Sequence, residues 1–312
     1  MDINYFSKVR ILDGGMGQHL LTKGLKTKGS LWSTTALIDE KYHNLVIDSH
    51  LDFIRSGADI IITNNFSARE TRMIQNKVGK YFNYVNKKAG ELAYKAKQIS
   101  KKKVLIGGSL PPQNDTYVLD NRDNNIIKKN FYDQANILKP YVDFFYIDVL
   151  SGSKECEIAL NVSEKLGLPV LVGLHVKKNG KLPSKESVTE VYKKCKSNRW
   201  LGLILACVSP EIVENTIDEI KQLKIPFGYK VNLWKNEEPV PVSKLLGKKT
   251  NDNTDSFINP NEILGTRQEF TDLKFFEFTK KMIRKGATIL GGCCETNPSH
   301  IKKISILKKI SS

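Results

Sequence analysis

Eight short apolar runs recur along the chain with helix-like stretches between them, at residues 9–13, 59–63, 104–107, 144–148, 170–174, 201–206, 227–231 and 288–290. Most are continuous and rich in Val, Ile and Leu, the pattern of strands buried on both faces in a parallel sheet covered by helices. The segments between them carry helix signals. Residues 42–56 place Leu45, Val46, Leu51, Phe53 and Ile54 at near-helical spacing and stop at Gly57. Ser209-Pro210-Glu211 supplies a capping serine followed by proline in the first turn, and residues 270–284 end before Gly286. Eight strands alternating with helices, with no linker between halves, predict one α/β domain over residues 1–312, a single (β/α)8 TIM barrel. A doubly wound open sheet is the main rival.

One stretch breaks the alternation. Residues 235–268 are rich in Asn, Asp, Pro and Lys and have little periodicity, which predicts a long loop after the seventh strand, on the face where barrels gather their catalytic groups.

Composition removes several classes. The chain of 312 residues, 40% hydrophobic and 26% charged, suits one large globular domain. No run approaches the roughly 18 apolar residues of a membrane span. The first ten residues lack the apolar stretch and small-residue cleavage site of a signal peptide, so a cytoplasmic protein is expected. Five cysteines, an odd number, make no disulfide framework and leave thiol or metal chemistry open. The net charge of +16 comes from lysines scattered over many segments, such as Lys101-Lys102-Lys103, Lys128-Lys129 and Lys302-Lys303. They read as solvated helix faces, and no specific nucleic-acid partner is expected.

A barrel places its working residues at the C-terminal ends of its strands. Asp13 ends the first run, Thr63-Asn64-Asn65 follow the second, Asp148 ends the fourth and His175 follows the fifth. Cys207 ends the sixth, Asn232 the seventh and Cys293-Cys294 the eighth. Three thiolates arriving from distant segments can hold a zinc ion and leave its fourth position open to a substrate. Taken alone, the Cys293-Cys294 pair reads equally as two small buried hydrophobes, Asp13 before Gly14-Gly15 reads first as a turn former, and Asn232 as a strand-ending cap. The histidines form no metal-ligand spacing, with His43 and His50 on an exterior helix, and Cys156 matches no motif.

Five segments together resemble the homocysteine S-methyltransferase family: Ile-Leu-Asp-Gly-Gly-Met-Gly (11–17), Leu-Trp-Ser (31–33), the second strand with its continuation (56–66), Cys-Val-Ser-Pro-Glu (207–211) and Gly-Gly-Cys-Cys-Glu-Thr-Asn-Pro-Ser-His-Ile (291–301). The resemblance runs over essentially the whole chain and implies the same barrel. It implies zinc held by Cys207, Cys293 and Cys294, with the Asn232 oxygen as a candidate fourth ligand when substrate is absent. It also implies that Asp13 and Asp148 receive the homocysteine ammonium close to the Gly14-Gly15 backbone. A thiol with a pKa of about 8.5 is mostly protonated at neutral pH; as a zinc ligand it would lose its proton and could attack a methyl group in line. The fourth-strand carboxylate is usually Glu in the family and is Asp148 here, one methylene shorter.

The methyl donor is read from the pocket walls. A sulfonium or quaternary ammonium needs aromatic faces or carboxylates, and Trp32 stands at the family's tryptophan position. The two tyrosines of betaine-dependent relatives are Ser67 and Val149 here, which favours S-methylmethionine, with S-adenosylmethionine second and betaine or methylcobalamin as the alternatives. From other classes, a non-catalytic zinc-binding protein and a basic nucleic-acid-binding barrel are the competing readings. Oligomeric state cannot be read from the chain.

Overall fold

The computed structural model describes residues 2–195, 197–235, 238–241 and 264–309. Most of the loop expected at 235–268 falls outside these. The strands are β1 (Arg10–Ile11), β2 (Ile60–Ile62), β3 (Leu105–Leu110), β4 (Phe144–Leu150), β5 (Val170–Leu174), β6 (Trp200–Val208), β7 (Phe227–Val231) and β8 (Ile289–Gly292). All neighbours pair in parallel, in the order β1-β8-β7-β6-β5-β4-β3-β2. The two ends of this sheet meet at a Leu12–Ile60 bridge, where the Asp59 N–H donates to the Ile11 carbonyl at 2.7 Å and the Asp13 N–H to the Ile60 carbonyl at 3.0 Å. The expected barrel is therefore the observed fold. Parallel strands need crossovers, and helices supply them.

The helix Pro210–Lys221 illustrates how local sequence sets an element. Ser209 caps it, its Oγ accepting from the Ile212 N–H at 3.4 Å, and Pro210 occupies the first turn. Ile212, Val213, Thr216, Ile217 and Ile220 then fall on one buried stripe. Removing the cap as Ser209→Ala would cost about 1 kcal/mol.

Two apolar layers result. Inside the ring, Leu12, Ile60, Phe144, Tyr146, Leu171 and Ile289 pack together, joined by Phe6 from the 3-10 turn Ile3–Ser7. Between ring and helices lies a larger layer that includes Phe131, Phe145, Leu203, Ile212 and Phe275. Each fully buried side chain of this size contributes about 1.5–3 kcal/mol.

Several strands outrun their apolar signal. β3 continues through Gly107, Gly108 and Ser109 to Leu110, and β6 covers Trp200–Val208, because backbone pairing with both neighbours does not require a large side chain at every position. His50 also departs from expectation. Its helix, His43–Arg55, is exterior, but the imidazole turns inward, and burial pulls its pKa down to about 3.

Candidate metal and substrate site

Two irregular strands shape the barrel mouth. Between Ile147 and Leu150, β4 advances three residues while β5 advances two, and between Ala206 and Val208, β6 advances two while β7 advances one. Each is a bulge carrying one extra residue. The extra residues, Val149 at φ +66° and Cys207 at φ +54°, have left-handed backbone. Before the bulges side chains alternate, with Ile147 and Leu205 facing the helices; after them Leu150 and Val208 do so again. At the bulges two successive residues face the mouth in each strand, Asp148 with Val149 and Ala206 with Cys207. Trp32 and Tyr117, also in left-handed backbone, line the same pocket. Such conformations cost about 1–3 kcal/mol each and cluster where function fixes a side chain.

The three expected thiols meet here. Cys294 Sγ lies 4.0 Å from Cys207 Sγ and 3.9 Å from Cys293 Sγ, and all three sulfurs fall within 4.8 Å of one another. A tetrahedral zinc with Zn–S bonds of about 2.3 Å needs sulfurs about 3.8 Å apart, so the donor set fits in kind and in spacing. The cysteines are free thiols.

The turn after β8 is held from three sides. The Cys293 N–H donates to the Val231 carbonyl at 2.7 Å, and the Leu233 N–H to the Cys294 carbonyl at 3.0 Å. Thr296 Oγ1 donates to the Cys293 carbonyl at 2.6 Å and accepts from the Gly15 N–H at 3.1 Å, which stitches the Asp13-Gly14-Gly15 turn to the cysteines. A Cβ on Gly292 would stand 2.0 Å from Thr296 Oγ1. That contact explains a glycine immediately before the pair.

Electrostatically the thiols are unequal. Hydrogen bonds from the Cys293 and Cys294 thiols and from Tyr117 hold Cys207 well below the usual cysteine range, while the same contacts raise Cys293 and Cys294. The Tyr117 hydroxyl is 3.2 Å from Cys207 Sγ, and its ring packs 4.5 Å from His175. Asn232 supports Cys207 too. Its Nδ2 donates to the Cys207 carbonyl at 2.8 Å and lies 3.9 Å from Sγ, while its oxygen accepts from the Trp234 N–H at 3.4 Å. In this orientation the nitrogen faces the sulfur. His175 is buried, which pulls its pKa down to about 4, and its Nδ1 lies 3.3 Å from the Ala206 carbonyl.

Both expected carboxylates line the pocket, but with different partners. Asp13 is engaged at both oxygens, Oδ1 by Lys230 Nζ at 2.7 Å and Oδ2 by the Ile62 N–H at 2.7 Å. Burial pulls the Lys230 ammonium down, but Asp13, Asp148 and Cys293 outweigh it and hold its pKa above the usual value. Asp148 faces Lys230 and Tyr146, and burial pushes its carboxyl up to about 7. Lys230 is a site residue that the motifs did not reveal. A lysine inside an apolar, fully buried strand was the available signal.

Trp32 lines the pocket as expected, and with Phe66, Tyr117 and Trp234 it forms an aromatic collar over the thiols. Gly14 and Gly15 lie at the pocket wall. Trp234 is fixed by pairing with Thr266, where the Lys235 N–H donates to the Gly265 carbonyl at 3.1 Å and the Arg267 N–H to the Leu233 carbonyl at 2.9 Å. Arg267 then makes a forked pair with Glu211 at 2.8 and 2.9 Å. The segment following β7 thus leaves and returns beside the thiols. No helix among the described residues is long and apolar enough to cross a membrane.

Fold and site together define a barrel enzyme in which three clustered thiols, a donor set able to hold a metal ion, open into a charged and aromatic pocket. The family model described as homocysteine S-methyltransferase matches residues 10–307, and the chain belongs to that family. It is accordingly a methyltransferase, with methyl transfer to homocysteine as the family activity. Among curated relatives it is similar to homocysteine S-methyltransferase 3 of Arabidopsis thaliana, 23% identical over 95% of this chain and 88% of that one. It is also similar to the S-methylmethionine–homocysteine S-methyltransferase BHMT2 of Pongo abelii, 25% identical over 93% of this chain and 77% of that one. The metallated form of the homocysteine methyltransferase MmuM from Escherichia coli has the same fold, with a TM-score of 0.76, 16% identity and 96% of each chain covered.

Proposed function

We propose that this chain moves a methyl group from S-methylmethionine to the thiol of homocysteine, giving methionine, with a zinc ion held by Cys207, Cys293 and Cys294. The observation that carries the reading is the convergence of these three sulfurs, within 4.8 Å of one another, in one pocket with Asp13 and Asp148. Zinc, when bound, supplies the acidity that converts the substrate thiol to a thiolate at neutral pH.

The remaining chemistry belongs to the chain. Asp13 is already neutralised by its ion pair with Lys230, so Asp148 takes the substrate ammonium while Asp13 fixes Lys230 beside it. An ammonium brought to Asp148 favours its ionised form, countering the burial that raises it. Gly14 and Gly15 bring backbone close to the amino acid. The faces of Trp32, Phe66 and Trp234 enclose the donor cation, and Tyr117 and Asn232 orient Cys207. Thiols that must stay reduced fit a reducing compartment such as the cytoplasm.

The test is turnover of zinc-loaded protein with homocysteine against S-methylmethionine, S-adenosylmethionine, betaine and methylcobalamin. S-Methylmethionine should be the preferred donor. Turnover with betaine or methylcobalamin alone would overturn the donor, and bound zinc without transfer to any thiol would leave a metal-binding protein.

A further inference from the structure

Two arginines form part of the pocket wall beyond the aromatic collar. Arg69 and Arg72, at the start of the helix Glu70–Gln75, are only 1% and 3% exposed, and both line the pocket that holds the thiols. Arg69 donates to neutral acceptors, the Pro112 carbonyl at 2.6 Å and Thr116 Oγ1 at 3.1 Å. Arg72 donates to Asp115 Oδ1 at 3.3 Å. Nε of each guanidinium has no hydrogen-bond partner among the described residues. The other acid close to Arg69 is Glu155, whose carboxyl oxygens make no hydrogen bond and whose pKa burial pushes up to about 8. Two buried guanidiniums therefore share one hydrogen-bonded carboxylate. Burying an unmatched cation is costly, and the planar fork of arginine suits a carboxylate brought from outside.

The position of the pair relative to the thiols follows from its contacts. The Arg69 guanidinium lies over the Phe66 ring, 5.5 Å from its centroid. Thr116, which holds Arg69, directly precedes Tyr117, whose hydroxyl is 3.2 Å from Cys207 Sγ. Thiols, aromatic collar and guanidiniums thus succeed one another along one pocket. We propose that Arg69 and Arg72 form a carboxylate subsite for the methyl donor, so that the reacting methyl faces the thiols, the cation lies within the collar and the donor's carboxylate meets the arginines. This rests on the methyl-transfer reading above and deepens it: accepted donors are cations that carry a carboxylate at their far end.

Binding and turnover test this separately. Trp32 and Trp234 in the pocket wall provide a fluorescence signal for titrating zinc-loaded protein with S-methylmethionine and with its carboxamide, which has the same cation and no negative charge. The acid should bind at least about tenfold more tightly, in line with the loss of a charged hydrogen bond. Arg72→Met should remove most of that preference and leave the KM for homocysteine unchanged, while Arg72→Lys should keep part of it. Equal binding of acid and amide by the unsubstituted protein overturns the subsite, whatever the variants do. A rise confined to the homocysteine KM in Arg72→Met gives the arginines to the acceptor's carboxylate and overturns the donor assignment. Preferential binding of the acid with no transfer would sink the methyl-transfer reading and leave the subsite standing.

Discussion

The Lys230 ammonium lies 2.7 Å from Asp13 Oδ1, with both side chains almost fully buried at the barrel mouth. An ion pair in such a place is costly to break from one side, because the partner is left charged and dry. Lys230→Met should therefore destabilise the fold by about 3–5 kcal/mol, whereas Lys230→Met combined with Asp13→Asn should recover a large part of the loss. Urea denaturation of the single and double variants measures this. Equal losses in the two would mean that the pair is not the source of the cost.

Tyr117→Phe deletes only the hydroxyl next to Cys207 Sγ. A group that orients a metal ligand from behind typically changes metal affinity 10–100-fold, so Tyr117→Phe should lose zinc to a competing chelator at correspondingly lower chelator concentration while its circular dichroism is unchanged. Cys207→Ala should go further and retain little metal at all, since two thiolates make a poor cage. Full metal content and activity in Cys207→Ala would break the three-thiol model.

Glu155 gives a pH dependence with a definite sign. Its carboxyl is raised by burial from the ordinary 4.5 to about 8, so the folded chain holds a proton that the unfolded chain releases. The associated stability is complete below about pH 4.5 and is lost as pH climbs toward 8, at up to about 1.4 kcal/mol per pH unit. Glu155→Gln should flatten the fall in urea midpoint between pH 5 and pH 8. An unchanged slope in the variant would refute the assignment.

Gly17 underlies the collar. A Cβ there would stand 1.9 Å from Trp32 Nε1, so Gly17→Ala must displace the indole from its present position. The KM for the sulfonium donor should rise several-fold, about 1 kcal/mol for a lost cation–π contact, with the homocysteine KM little changed. Donor and acceptor titrations at saturating partner give the comparison. A shift in the homocysteine KM alone would place Trp32 on the acceptor side.

The barrel was legible in the chain because each strand overlaps one of the eight apolar runs, the short β1 and β8 included, which fall in or across the runs at 9–13 and 288–290. Cys207, Cys293, Cys294, Asp13 and Asp148 were legible as strand-end residues, and the structure gathers them in one pocket. Lys230, Tyr117 and the two arginines were not. Lys230 acts from within a strand, where a charge is read as an interruption of an apolar run. Tyr117, Arg69 and Arg72 come from connections whose path depends on long-range contacts such as Arg69 to Pro112, which no local periodicity encodes.

The bulges in β4 and β6 carry a wider consequence. Strict alternation would give each strand end one inward side chain per two residues. By accommodating a single extra residue, each of these strands presents a consecutive inward pair, Asp148 with Val149 and Ala206 with Cys207. The capacity of such a mouth is then set by where the hydrogen-bond ladder slips as well as by strand number. Deleting Val149 or Ala206 would restore strict alternation and leave a single inward side chain, Asp148 or Cys207, at that strand end, so the mouth would lose one of its two places there while every other side chain kept its facing.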